Sequence, residues 1–168
     1  GLKKNSLFKD QKGAKQDSIK DFCKKIELIK KTRNSKDFLI GARIESFILG
    51  KGLNDALKRA QAYSAAGADI ILIHSKEKTS KEIFSFSNIF RKTKYYKPLV
   101  AVPSTYSKTT EAMLIKNGFK IVIYANQMLR STYPAMENVA KTILKNERSF
   151  ELENKISSVN ELINLIKS

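Results

Sequence analysis

Four short, almost wholly apolar runs alternate with segments of helical spacing, and this alternation limits the fold more than any other feature of the chain. The runs lie in "DFLIGARIESF", "ADIILIH", "KPLVAVP" and "FKIVIYAN". Phe38, Leu39 and Ile40 open the first, which reads as a buried strand ending at Ala42 and Arg43. The second ends at His74 and the third is stopped by Pro103. Between them lie helical patterns. Ile19, Phe22, Cys23, Ile26 and Ile29 mark one face of a helix over 18–31, with Asp17 placed to cap it. Leu53, Ala56, Leu57 and Ala60 mark a second helix closed by Gly67, and Ile83, Phe86 and Phe90 a third. "KTTEAMLIKNG" is a fourth, closed by Gly118, and "STYPAMENVAKTILKNE" a long fifth. A short sixth over 157–166 is expected to turn Val159, Leu162, Ile163 and Ile166 inward. Buried strands alternating with helices mean a parallel sheet covered by helices. Two architectures satisfy the pattern: an open doubly wound sheet, or part of a (β/α)8 barrel, which takes roughly 250 residues when whole.

Composition narrows the function classes. At 168 residues the chain can bury one core. Its single cysteine, Cys23, excludes an internal disulfide and fits a reducing, cytoplasmic setting. No apolar run is long enough to cross a bilayer, and the basic N-terminus lacks the apolar segment of a secretory signal. The formal charge of +16 raises the question of a nucleic-acid partner. The cations are mostly lysine, with six arginines spread along every segment rather than gathered in one stripe, so no nucleic acid and no membrane partner is expected.

In either architecture the chemistry belongs at the C-terminal ends of the strands. Arg43 ends the first strand, with Glu45 two residues on; His74 ends the second, followed by Ser75 and Lys76. Thr105 and Tyr106 follow the third, and Asn126 and Gln127 the fourth. A guanidinium and an imidazole on neighbouring strand ends can hold a carboxylate or phosphoryl anion between them. Each has a plainer reading. Arg43 can simply pair with Glu45, His74 can be a satisfied core histidine, Lys76 and Lys78 can be solvated, and Asn126 can cap the last long helix. There is no phosphate-binding Gly-rich loop, no GxGxxG and no Cys/His cluster of zinc type. No carboxylate pair ends adjacent strands, and Asp69 begins a strand at the wrong end, so a complete hard-metal site is not visible.

The segment "GARIESFILGKGLNDALKRAQAYSAAGADIILIHSK" resembles the central part of the phosphoenolpyruvate mutase family, in the isocitrate lyase/phosphoenolpyruvate mutase superfamily. The likeness rests on the "ARxE" strand end, the "GxxxALxRAxAYxxAGAD" helix and the "HSK" strand end. "VAVPSTY" and "YANQMLR" are similar to later family segments, and "GLKKNS" to the second half of the family's loop signature. The resemblance implies that residues 1–168 are an incomplete barrel domain: the second half of a (β/α)8 barrel, four parallel strands with helices, its N-terminal half absent. Residues 1–16 are then a remnant of the gating loop, and residues 130–168 are C-terminal helices available for oligomer contacts. It further implies interconversion of phosphoenolpyruvate and phosphonopyruvate, which makes a C–P bond for phosphonate biosynthesis. Mg²⁺ is implied as cofactor, with its ligands in the missing half, and a homodimer or homotetramer as the intact assembly. Arg43 and His74 match positions that contact the small anionic substrate. Lys3, Asn5 and Ser6 match the loop that closes over it, with Lys3 and Asn5 among the catalytic set. The fragment alone would be inactive. Two rivals remain: a phosphonopyruvate hydrolase or other lyase of the superfamily, and a non-enzymatic basic anion-binding module.

Overall fold

The computed structural model describes residues 15–166. The chain divides into two units, Gly1–Ala125 and Asn126–Ser168. The first contains four β/α repeats in chain order: α1 (Ile19–Thr32), β1 (Gly41–Ile44), α2 (Gly52–Ala66), β2 (Ile70–Ile73), α3 (Lys81–Phe90), β3 (Leu99–Ala101), α4 (Glu111–Lys116) and β4 (Phe119–Val122). All three strand pairings are parallel, and the sheet order is β1-β2-β3-β4.

That order decides between the two architectures. A doubly wound sheet must reverse its strand order to place helices on both faces. Here the order never reverses, and right-handed crossovers in one direction put every connecting helix on the same side. The core agrees. Ile26 of α1, Ala56, Ala60 and Tyr63 of α2, Ile83, Phe86 and Phe90 of α3 and Leu114 of α4 form one buried cluster with Ala42, Ile44, Ile71, Ile73, Leu99, Ala101 and Phe119 of the strands. The sheet is therefore an arc of a (β/α)8 barrel.

The opposite face is defined by register. Arg43 pairs with Leu72, Leu72 with Val100, and Val100 with Ile121, so one row of side chains crosses all four strands. The next row on that face, by the two-residue strand period, is Glu45, His74, Val102 and Ile123. Ile121 and Ile123 are exposed at 37% and 42%, as expected of a surface whose covering strands are not among the described residues.

Local departures from the sequence expectations have local causes. Ser18, not Asp17, caps α1: its hydroxyl accepts the Asp21 N–H at 3.1 Å. Asp17 instead takes the Lys25 ammonium at 2.5 Å. The first apolar run is mostly loop, and Phe38 and Leu39 are 62% and 54% exposed. The strand begins only at Gly41, because Asp69 accepts the Ile40 N–H at 2.9 Å and binds Arg33 at 2.5 Å, while Arg33 also donates to the Phe38 carbonyl at 3.0 Å. Asp69 is thus structural, at the N-terminal end of the sheet.

Gly67 closes α2 in the left-handed region, φ 115°, with the Ala68 N–H donating to the Tyr63 carbonyl at 3.0 Å. A Cβ there would also lie 2.5 Å from Cδ of Lys30. Gly67→Ala is expected to destabilise the chain by about 1–2 kcal/mol, read as a lower urea midpoint at unchanged slope.

The second unit holds α5 (Gln127–Asn146), a 3₁₀ turn (Phe150–Leu152) and α6 (Val159–Ile166). Helix α5 starts four residues earlier than its apolar pattern suggested, and carries Pro134 in its interior. The four residues of α6 expected inward are 72%, 51%, 42% and 86% exposed (Val159, Leu162, Ile163, Ile166), and neither α5 nor α6 contains a buried residue. An amphipathic pattern says which side of a helix needs a partner; it does not supply one.

Candidate functional site

Arg43 and His74 come together on the face opposite the helices, at the C-terminal ends of two hydrogen-bonded strands. Glu45 binds Nε of Arg43, with side-chain exposures of 42% for Arg43 and 30% for Glu45. A pair this open contributes at most about 1 kcal/mol to stability. Its consequence is geometric: it fixes the direction of a guanidinium standing near His74. The plainer sequence reading, that Arg43 pairs with Glu45, therefore holds.

His74 is 3% exposed, and its Nδ1 is buried without a hydrogen-bond partner among the described residues. It is not a satisfied core histidine. Burial pushes the imidazole pKa below its usual value, the Arg43 charge pushes it further down, and Glu45 pulls it partly back. The ring is neutral at pH 7 and feels both members of the pair. The unfolded chain then binds more protons than the folded one below the ordinary histidine pKa of about 6.5, so stability falls as the pH drops through that value. Unfolding free energies from urea titrations taken from pH 7 to pH 5 should decline, with His74 contributing no more than about 1.4 kcal/mol per pH unit, and His74→Asn should flatten the decline. Asp55 and Asp69, held below the usual carboxylate range, act only at lower pH.

The loops at this end are knit together by hydrogen bonds that a position at a strand end does not reveal. Ser75, fully buried, donates its hydroxyl to Glu82 and accepts the Glu77 N–H at 3.1 Å. Thr105 donates to the Ser75 carbonyl at 3.0 Å, tying the loop after β3 to the residue following His74. Lys76 reaches back to the Ile48 carbonyl at 3.3 Å, so it is a loop tie and not merely solvated. Tyr106 belongs to the core: its hydroxyl accepts the Val102 N–H at 3.2 Å and burial pushes its pKa up to about 12. Asn126 heads α5 in the second unit without a side-chain capping bond. Lys3, Asn5 and Ser6 lie outside the described residues.

A cleft of ≈ 470 Å³ between the end of α1 and Phe38 lies at the N-terminal end of the sheet, away from His74, and the Arg33 that lines it is committed to Asp69. No group of three or more His, Cys, Asp or Glu able to hold a metal exists among the described residues. Glu45, the carboxylate whose charge acts on His74, is engaged by Arg43. None of the helices among the described residues is long and apolar enough to cross a membrane.

Sequential parallel strands, helices on one face, and a cation beside a neutral imidazole at the C-terminal strand ends define an arc of a (β/α)8 barrel. The chain belongs to the phosphoenolpyruvate phosphomutase family, whose profile matches residues 4–144. It is 38% identical over 163 residues to a phosphoenolpyruvate phosphomutase of Tetrahymena pyriformis, covering 97% of this chain and 53% of that protein. The crystal structure of a phosphoenolpyruvate phosphomutase from Streptomyces platensis subsp. rosaceus superposes with a TM-score of 0.91 at 35% identity, over 98% of this chain and 56% of that one. A phosphonopyruvate hydrolase solved with oxalate and Mg²⁺ superposes with a TM-score of 0.83 at 36% identity, over 92% of this chain and 56% of that one. The chain spans about half the length of these relatives.

Proposed function

We propose that this chain supplies the anion-holding half of an active site that interconverts phosphoenolpyruvate and phosphonopyruvate. The observation that carries the reading is the placement on one face of paired strand ends of Arg43 and of the buried Nδ1 of His74, which has no hydrogen-bond partner among the described residues. The reaction breaks a P–O bond and forms a P–C bond within one substrate, with no group lost and no co-reactant. Phosphoryl transfer of this kind spreads charge over three oxygens in a loose transition state, so positioning and charge stabilisation do most of the work. Arg43 offers a planar fork to the substrate's carboxylate or phosphoryl oxygens. His74, neutral at pH 7, offers a hydrogen bond without adding a second fixed charge. By their match to the family's loop, Lys3 adds positive charge and Asn5 and Ser6 bond phosphoryl oxygens. Closure of that loop keeps out the water that would divert the phosphoryl group to phosphate.

Activity then requires the other half of the barrel, and Mg²⁺ with ligands outside the described residues. A cytoplasmic homodimer or homotetramer, with residues 130–168 in the subunit contact, is the assembly this reading expects. The second reading, cleavage of phosphonopyruvate to phosphate, is supported by a hydrolase structure as similar in sequence as the mutase structure. Phosphorus NMR of phosphonopyruvate incubated with Mg²⁺ and the chain joined to the other barrel half separates them. A phosphonate signal in lasting equilibrium with phosphoenolpyruvate is expected; progressive loss to inorganic phosphate replaces the mutase by the hydrolase, and an unchanged spectrum rejects both.

A further inference from the structure

Behind Glu45 lies a polar network that the anion-holding role does not explain. Arg59 on α2 is only 5% exposed. Its Nε donates to Asp55 at 3.0 Å, and its Nη1 donates to the Tyr63 hydroxyl at 2.8 Å and to the Asp17 carbonyl at 2.9 Å. The same Asp55 oxygen accepts the hydroxyl of Ser46 at 2.7 Å, and Ser46 is fully buried. Gln16 approaches that hydroxyl at 3.5 Å. Partial burial pushes the Asp55 carboxyl up, but Ser46 and Arg59 together hold it below the usual carboxylate range, so it stays ionised. Ser46 directly follows Glu45 and opens the turn to α2: Leu49 N–H donates to the Glu45 carbonyl at 3.0 Å and Lys51 N–H to the Ser46 carbonyl at 2.8 Å.

The lead into α1 and the inner face of α2 thus meet on one guanidinium, and the turn after β1 joins them through Asp55. Stability alone is a weak reason for such an arrangement, because a buried ion pair can often be replaced by apolar side chains of similar volume at no loss. What apolar side chains cannot do is fix direction through several hydrogen bonds at once.

We infer that Ser46, Asp55 and Arg59 are positioning residues for the candidate site: they lock the turn after β1 so that Glu45 holds Arg43 beside His74, and they pin residues 16 and 17 to that same turn. This deepens the proposed function and rests on it only in taking Arg43 and His74 as the site.

The test uses the one histidine of the chain. Its imidazole C–H proton gives a single titration curve by NMR, and it responds to the Arg43–Glu45 pair in its neighbourhood. Arg43 outweighs Glu45 at the ring, so a loosened pair should let the midpoint rise. Ser46→Ala and Arg59→Lys, made in the chain as it stands, are each expected to raise it by about half a pH unit. Ser87→Ala serves as the control, since Ser87 is buried on α3 and donates to the Asn117 carbonyl away from the site. It should lower the unfolding midpoint and leave the titration where it was. If Ser46→Ala and Arg59→Lys lower stability and leave the His74 midpoint unmoved, or if both lose the fold, the network is structural only and the inference is overturned. The readout needs no turnover, so a failed phosphonate assay counts against the proposed function and a flat titration against the positioning network.

Discussion

Arg43→Met is expected to lower kcat/KM for phosphonopyruvate by about a thousandfold in the completed barrel, because it removes the charge-assisted fork proposed to hold the substrate anion. Arg43→Lys keeps a charge but not the fork, and should recover only about tenfold of that loss. The same substitution has a second signature that needs no substrate. Arg43 depresses the His74 pKa, and Glu45, which opposes it, stays behind in the Met variant. The sign is therefore fixed: the His74 midpoint must rise on Arg43→Met, and rise less on Arg43→Lys. Steady-state assays on the completed enzyme and proton NMR on this chain would check the two halves independently. A collapse in activity with an unmoved His74 would mean that Arg43 acts elsewhere than beside the imidazole, and the shared-anion geometry would be wrong.

The strands, their order of appearance and the two glycine caps were legible in the sequence because each is a local signal: an apolar run, a helical period, a Gly at a left-handed position. The placement of Arg43 and His74 at strand ends was legible because parallel strands all present their C-terminal ends to one side, so the residue ending each run is a candidate by topology alone. The choice between sheet architectures was not local. It depends on which strand hydrogen-bonds to which, and only the uninterrupted order β1-β2-β3-β4 resolves it. The supporting residues were harder still. Asp55, Arg59 and Tyr63 recur every fourth residue along α2, and that polar stripe beside Ala56 and Ala60 is a signal that could have been read as an inward-facing network. Ser46 carries no such mark, since one serine in a turn looks like any other. Phe38 and the α6 residues misled for a common reason: apolarity gives a preference for burial, and the neighbours that would satisfy it are not encoded in the same few residues.

Phe86 and Phe38 turn that last point into a measurement. Phe86 is fully buried on α3, stacked on Phe90 with ring centroids 5.3 Å apart and an interplanar angle of 23°, and Phe90 in turn meets Tyr96 at 6.0 Å. Truncating it leaves a cavity between α3 and the strands, at a cost of about 3–5 kcal/mol. A domain of this size has roughly 5–15 kcal/mol in hand. Strands β1 and β4 each have an edge unpaired among the described residues, which places this one towards the low end. Phe86→Ala should therefore abolish the cooperative urea transition at 25 °C, followed by far-UV circular dichroism, or move it close to zero denaturant. The same deletion at Phe38, 62% exposed, should change the unfolding free energy by less than about 0.5 kcal/mol. Helix α3 joins the strand that ends at His74 to the strand whose loop carries Thr105, so the Phe86 variant should also lose the depressed titration midpoint of the imidazole, while Phe38→Ala keeps it. Equal effects at the two phenylalanines would mean that the helices do not close on one face of the sheet, and the open face that holds Arg43 and His74 would lose its physical basis.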